Sequence, residues 1–542
     1  MLLPKRARWL PILVAFGLLV AACGGGGGGG DEGGGGSQGG GSFSIYIGEP
    51  ENPLVPQNTT ESEGSLVLSA LFRGLVEYDQ QTSEPVNVMA ESIESPDQQN
   101  WTIKIKPGWT FHNGEPITAQ SFVDAWNHGA YGENAYEASY FFENVKGYDD
   151  LQCGDEKCTK KPKTKEMSGL KKVDDTTFTV ALKEPFSAFP VTLGYNVFYP
   201  LPKAFFSADP KKWGDAPVGN GPFQMDGTWK HNQSIKVKKY AGYKGPDAAK
   251  ADALEFRIYS EVNTAYRDAQ GGNLDIVDQV PPEQIEAAKT EFEGRYVERP
   301  TSSLTFLGVP TYDPKFAKKE LRQALSLAID RDAITKTIFN GTRKPARSIV
   351  SPVVIGYRED ACPNCQYDPA KAKQLLQKAG GWTGTMTLWF NSGAGHEEWM
   401  EAVANQLRTN LGIQTKFQTL DFAQYLPRLE EKKATGPYRL GWIMDYPNAQ
   451  NYLQPIFSTT GSSNYSGYAN KAFDDLVKKG NAAKTPEESV QFYHQAEDLL
   501  LDDLPVIPMF FGTQQAVHSD RVSNVKIDAF ARIRLAEVTV KQ

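Results

Sequence analysis

Alternating apolar and polar residues predict several strands in the first half of the chain. Trp101, Ile103 and Ile105 alternate with polar residues, which indicates a half-buried strand. The same pattern of period two recurs at residues 178–182, 235–237 and 254–258. A spacing of three to four residues between apolar positions instead predicts helices at 65–76 and 118–126, the second beginning at Thr118 as its N-cap.

The second half repeats this succession more evenly. Helices are predicted at 320–340 with Gly341 as the stop, at 369–379 between Asp368 and Gly380, at 399–407 and at 485–501. Strands are predicted at 388–390, 413–417, 440–444 and 506–511. Strands that alternate with helices indicate an α/β fold.

The segment 438–452 is the most informative for function. An apolar strand, Leu440 to Met444, ends on the single carboxylate of Asp445, and Pro447 then breaks the regular structure. A carboxylate beside Trp442 and Tyr446 is poorly hydrated and needs donors or a cation to stay charged. Two interpretations are open: Asp445 caps the following turn, or it binds a cation from outside, such as a ligand ammonium.

The N-terminus carries targeting features. Residues 1–22 combine a basic start with a short apolar run, which is typical of a signal peptide and too short to span a bilayer. The tetrad Val20-Ala21-Ala22-Cys23 resembles a bacterial lipobox, in which the cysteine is lipidated. The glycine-rich stretch that follows Cys23 up to residue 41 predicts a flexible tether between a lipid anchor and the folded body.

Composition and motifs exclude several classes of function. Removing residues 1–22 removes three cations and moves the net charge from −8 to −11, which argues against a nucleic-acid partner. The six histidines include no metal-ligand pair at i, i+4, and the G-x-S-x-G at 35–39 lies in the glycine tether rather than at a strand-to-helix elbow. We therefore expect neither an enzyme nor a metal site, and no cofactor.

Four cysteines follow Cys23, and their spacing suggests two local bridges, Cys153–Cys158 and Cys362–Cys365. Two alternatives exist for the C-P-N-C sequence at 362–365. A redox pair would need a βαβ context, and a zinc site would need further ligands nearby. Neither is evident in the sequence, so a structural disulfide is the preferred interpretation.

Six fragments, in order along the chain, resemble one family. They are LFRGLVEYD (71–79), WTIKIKPGWTFHNGEPITAQSFVDAW (101–126), VGNGPF (218–223), LRQALSLAIDRD (321–332), LGI (411–413) and DYP (445–447). Together they are similar to the peptide-binding branch of the bacterial ABC-transporter solute-binding proteins, family 5, which contains the oligopeptide and dipeptide receptors. The resemblance covers nearly all of residues 42–542.

The resemblance implies a two-lobed, type II periplasmic-binding-protein-like α/β fold with a hinge and a cleft. Lobe I would span residues 42–300, with an extra α/β subdomain at about 80–195. Lobe II would span 301–508, and residues 509–542 would return to lobe I. The chain would cross between the lobes near Arg299–Thr305 and Leu504–Phe510.

The resemblance also implies a binding site. Asp445 occupies the position at which the family binds a peptide ammonium, although the second acid that often follows in the family is absent here. The other predicted ligand contacts lie near strand ends or in a close-approach turn: Trp442, Tyr446, Asn448, Trp389, Asn391, Asn220 and Gly221.

The expected function is therefore that of an extracytoplasmic, lipid-anchored, monomeric binding protein. It would capture a peptide in the interlobe cleft and deliver it to the permease and ATPase subunits of an ABC importer. The alternative keeps the fold and changes the ligand to a nickel chelate, haem or an oligosaccharide.

Overall fold

The structure is a computed structural model that describes residues 40–79, 82–155, 157–392 and 395–541. The predictions about the signal peptide, about Cys23 and about the tether up to residue 39 lie outside the described residues.

The strands β1 to β19, in chain order, are Ser42–Ile47, Val76–Tyr78, Pro85–Asn87, Ala90–Glu94, Asn100–Ile105, Leu170–Lys172, Thr177–Ala181, Phe223–Met225, Ser234–Lys239, Ala253–Ile258, Ile276–Val277, Tyr296–Gly308, Lys344–Pro345, Met386–Asn391, Thr415–Leu420, Tyr438–Trp442, Val506–His518, Val522–Ser523 and Thr539–Val540.

The α-helices α1 to α15, in chain order, are Ser62–Leu71, Ala119–Ala130, Phe189–Thr192, Lys203–Phe206, Pro210–Gly214, Val262–Gln270, Ile285–Glu291, Lys319–Leu327, Arg331–Thr337, Pro369–Ala379, Glu397–Leu411, Phe422–Glu430, Ala449–Phe457, Lys471–Asn481 and Pro486–Asp503.

Most predicted elements are confirmed, and local chemistry explains the differences. The helix predicted at 65–76 ends at Leu71, and Val76 begins β2. The helix predicted at 320–340 is two helices, α8 and α9, because the Asp330 carboxylate accepts from the backbone N–H of Ala333 and starts a new helix. The strand predicted at 440–444 is shifted, since β16 begins at Tyr438 and ends at Trp442.

One eleven-stranded sheet runs through the folded body in the order β15-β14-β16-β12-β17-β11-β1-β10-β9-β8, with β13 beside β17. Its centre is the antiparallel pair of the two 13-residue strands β12 and β17. The register of this pair is interrupted between Pro300 and Leu304, opposite Gly512. A Cβ at Gly512 would lie 2.6 Å from Thr301 Oγ1, so the backbones approach closely there.

A second, four-stranded antiparallel sheet has the order β4-β5-β7-β6. Its strands alternate buried and exposed residues, as in β5, and helix α2 covers the buried face through Phe122 and Trp126. This sheet shares one hydrophobic core with β1 and β10. Among the described residues, three further core clusters have their buried members within residues 304–511, one of which also takes in Ala529.

Candidate functional site

Two asparagines hold the turn that follows β16. Asn448 is the N-cap of α13, with its Oδ1 accepting from the backbone N–H of Gln450 at 2.9 Å. Asn451 Oδ1 accepts from the backbone N–H of Asp445 at 2.9 Å and from the indole N–H of Trp442 at 3.2 Å. The interpretation in which Asp445 caps this turn is therefore wrong, because Asn448 has that role.

The Asp445 carboxylate receives neutral donors. Asn451 Nδ2 donates to its Oδ2 at 3.0 Å, and the Tyr140 hydroxyl donates to its Oδ1 at 3.2 Å. Burial raises the pKa of Asp445, and these two hydrogen bonds oppose the rise. Within the described parts of the chain, no Lys, Arg or His forms an ion pair with Asp445. The negative charge of Asp445 is therefore available to pair with a cation from a ligand.

Tyr140 brings a distant part of the chain to Asp445. It lies in a 3₁₀ segment, Glu137–Phe142, 305 residues earlier in the sequence. The same two parts of the chain meet elsewhere: the Ser187 hydroxyl donates to the Gly480 carbonyl at 2.9 Å, and the Ser83 hydroxyl to the Val353 carbonyl at 2.6 Å. Asp445 thus lies where residues 83–187 face the second half of the chain.

Ile443 is 68% exposed, although it lies between the half-buried Trp442 and the buried Met444. The pairing of β16 with β12 ends at Trp442, and β14 pairs with β16 at Tyr438 alone. Ile443 therefore lies one residue beyond the paired part of β16, where a ligand backbone could continue the pairing.

Tyr446 lies in a wall between the two parts of the chain. Its hydroxyl donates to Gln450 Oε1, and its ring meets Phe186 edge-on at 6.2 Å in a small apolar cluster with Ala188 and Val191. Tyr446 is 8% exposed, as is Asn448. Since Asn448 Oδ1 caps α13, its Nδ2 is the group that could contact a ligand.

Trp389 and Asn391 lie near the end of β14, beside a residue that the sequence analysis missed. Arg439 Nη1 donates to Asn391 Oδ1 at 3.2 Å, while Arg439 Nε and Trp389 Nε1 are buried without a described partner. Burial lowers the pKa of Arg439, and no carboxylate in the described ranges pairs with it. A lone arginine in the apolar strand before Asp445 was the signal that could have identified it.

His396 completes this second polar group. Its Nδ1 lies 3.4 Å from the indole Nε1 of Trp399, and its Nε2 is buried without a described partner. Burial, and then the charge of Arg439, lowers the pKa of His396 to about 4, so the ring is neutral at pH 7. Arg439 and His396 together leave buried donors that an anionic or polar ligand group could satisfy.

Asn220 and Gly221, two predicted ligand contacts, lie in a turn that packs on the end of α1. Both are buried, and Asn220 brackets the backbone of Arg73 by accepting from its N–H at 3.1 Å and donating to its carbonyl at 3.0 Å. Gly221 N donates to the Leu71 carbonyl at 2.7 Å, and a Cβ there would lie 2.5 Å from Leu71 C. The predicted close approach exists, and its partner in the structure is the end of α1; the ligand contact stays a prediction.

Both cysteine pairs are disulfide-bonded in the structure. Cys362 and Cys365 are buried, so a thiol reagent or substrate has no access to this pair. Among the described residues, no group of three or more His, Cys, Asp or Glu side chains could hold a metal ion. In the same part of the chain, no helix is both long and apolar enough to cross a membrane.

The structure is an α/β fold in which Arg439 lies in β16 and Asp445 follows that strand. The chain belongs to the bacterial extracellular solute-binding proteins of family 5, whose model, described as "family 5 Middle", matches residues 84–464. Members of this family are solute-binding components of ABC importers.

Two relatives and one solved structure are similar to this chain. The dipeptide-binding protein DppE of Bacillus subtilis strain 168 is 27% identical over 460 residues, covering 82% of this chain and 81% of DppE. The glutathione-binding protein GsiB of Escherichia coli K12 is 27% identical over 489 residues, covering 88% of this chain and 90% of GsiB. The periplasmic murein tripeptide binding protein MppA, in its unliganded open form, superposes with a TM-score of 0.82 at 22% identity. The superposition covers 92% of this chain and 98% of MppA. The type II periplasmic-binding-protein fold is thereby confirmed.

Proposed function

We propose that this protein captures peptides in the cleft between its lobes and delivers them to the permease of an ABC importer. The observation that carries the proposal is the Asp445 carboxylate, which is half-buried, hydrogen-bonded by neutral groups and contacted by Tyr140 from 305 residues earlier in the chain. Such a group is suited to the α-ammonium of a peptide, which would supply the missing cation.

The remaining groups suit the rest of an extended peptide. The free backbone edge at Ile443 offers main-chain pairing that is independent of the ligand side chains. Trp389 and Trp442 provide half-buried aromatic surface. Arg439, with His396 beside it, offers donors for the terminal carboxylate or for an acidic side chain.

Delivery requires closure and a location near the permease. We propose hinge closure about the interrupted register of β12 and β17, at residues 301–303 and Gly512. This position falls within the first predicted crossing, Arg299–Thr305, and two residues beyond the second, Leu504–Phe510. Lipidation of Cys23, followed by the glycine tether, would hold the monomeric protein at the outer face of the cell membrane.

A peptide is favoured over a nickel chelate, haem or an oligosaccharide. Arg439 in β16 and Asp445, six residues further along the same segment, offer opposite charges, which would match the two ends of a zwitterionic peptide. The dipeptide-binding and glutathione-binding relatives support the same class of ligand.

Native mass spectrometry of the purified protein tests this proposal. A pool of tri- to pentapeptides, a nickel–histidine complex, haem and an oligosaccharide mixture would each be offered at equal concentration. We expect added mass from the peptide pool alone. Binding of one of the other solutes, with no peptide adduct, would contradict the proposal.

A further inference from the structure

A tight turn at residues 527–533 lies between two cavities. Ile527 and Ile533 form a bridge, and Asp528 N donates to the Arg532 carbonyl at 2.8 Å. Phe530 at the tip lies 5.3 Å from the ring of Tyr78 and packs on the core cluster that contains Met444. Phe530 and Arg532 line both cavities.

The first cavity has its charges paired. Its ion pairs are Glu77–Arg73 at 2.5 Å, Asp247–Arg73, Asp528–Arg532 at 3.2 Å and Glu537–Arg534 at 2.6 Å. Each of these acids forms an ion pair with an arginine, so none of them needs a cation from a ligand.

The second cavity differs in its electrostatics. Glu63 reaches it from the first turn of α1, and Asp278 lies directly after β11. In the described ranges neither carboxylate forms a hydrogen bond or ion pair with another residue. Arg532 is the cation that lines this cavity, and its guanidinium is already paired with Asp528.

The two carboxylates are close enough to influence the same groups. Burial, and then the charge of Glu63, raises the pKa of Asp278 to about 7. The pKa of Tyr46, which also lines the cavity, is raised to about 12 by burial and then by the charges of Asp278, Glu63 and Glu261. A cation placed between Glu63 and Asp278 would relieve this repulsion.

We propose that this second cavity binds the protonated side chain of a lysine or arginine in the ligand, so that the substrate class is peptides with a basic residue. The α-ammonium has its own partner in Asp445 at another strand end. Ile47, Leu66 and Phe530 line the cavity as well, and they offer apolar surface for a four-carbon stem, with the charged head at the acids. The inference rests on the proposed peptide-binding function.

Isothermal titration calorimetry with matched peptides tests the assignment. In a tripeptide series, lysine or the isosteric, uncharged norleucine would occupy each position in turn. We expect wild type to bind the lysine peptide about ten-fold or more tightly than the norleucine peptide at one position. The reason is that norleucine lacks the ammonium and so leaves the two carboxylates without their cation. Glu63→Gln with Asp278→Asn should bring that ratio close to one while norleucine peptides bind as before, which also shows that the variant is folded.

A control variant and the pH dependence of binding test the role of the two carboxylates separately. Glu283→Gln removes one negative charge from an exposed position outside the cavity and should leave the lysine preference unchanged. Because Asp278 must be ionised to hold the cation, raising the pH from 6 to 8 should increase the lysine-to-norleucine affinity ratio by up to about ten-fold. The ratio is the readout because titration of the α-ammonium and of Asp445 affects both peptides alike. The charged or titratable groups that line the cavity with Asp278 are Glu63, Tyr46 and Arg532, and Glu261 acts on Tyr46.

The failures are distinguishable. If no peptide binds the wild type, peptide binding itself is refuted, and this inference with it. If peptides bind but the lysine-to-norleucine ratio is near one, or is the same in the wild type and the double variant, the basic side chain does not use this cavity, and peptide binding stands.

Discussion

Replacing Asp445 by Asn tests the central proposal most directly. The substitution keeps the shape of the side chain and removes its charge. An ammonium that pairs with Asp445 in the closed cleft would then be buried opposite a neutral amide. The hydrogen bonds from Asn451 and Tyr140 show that the carboxylate is oriented before the ligand arrives, which lowers the cost of binding.

The expected loss follows from the burial of the site. At about 4 Å and an effective dielectric constant near 20, two unit charges attract by about 4 kcal/mol. Removing one partner of a buried charged pair typically costs about 2–5 kcal/mol of binding. The lower bound corresponds to about a 30-fold weaker dissociation constant. We expect a loss of at least this size for a free peptide.

Calorimetry of a free peptide and its N-acetylated twin, on wild type and variant, provides the assay. The acetylated peptide has no ammonium, so it should bind wild type weakly and lose little more in Asp445→Asn. Asp475→Asn removes a charge from an exposed position on α14 and is the matched control. Equal losses for the free and the acetylated peptide would refute the assignment of Asp445 to the amino terminus.

The stability of the ligand-free protein gives an independent check. The folded-state pKa of Asp445 is raised, so the folded protein binds protons more readily than the unfolded chain between the unfolded and folded pKa values. The ionised carboxylate therefore costs stability above the folded pKa, and the cost disappears as the pH falls below the unfolded value. Asp445→Asn removes this cost, so its melting temperature at pH 7 should not fall. A clear drop would mean that the carboxylate stabilises the empty fold.

The other predictions concern anchoring, closure and folding. Cys23→Ser should release a folded protein from the membrane, and persistence of the variant in high-salt-washed membranes would contradict lipidation. Small-angle scattering should show a smaller radius of gyration with saturating peptide, and an unchanged value would count against closure. Glu497→Ala removes a 1%-exposed carboxylate that accepts from Ser348 and Arg358, and should lower the free energy of unfolding by about 3 kcal/mol. Asp498→Ala, which removes the exposed second partner of Arg358, should cost under about 1 kcal/mol in the same denaturant titration, and equal costs would refute the burial argument.

Local patterns in the sequence are sufficient to predict most of the helices and strands. The alternation at Trp101, Ile103 and Ile105 sets the buried face of β5, and Asp368-Pro369 with Gly380 sets both ends of α10. These features depend on steric and hydrogen-bonding preferences within a few residues, so they can be read without a fold. The position of Asp445 at a strand end is of the same kind, and its identification as a candidate site came from the sequence.

Tertiary structure decided which groups surround each candidate. Asn220 and Gly221 belong to a buried contact with α1, and Asn448 caps α13, which their own sequence neighbourhoods did not reveal. Tyr140 meets Asp445 across 305 residues of chain. Glu63 and Asp278 share a cavity only because β1, β11 and α1 come together. Burial and pairing of charges depend on such long-range contacts, and no local periodicity encodes them.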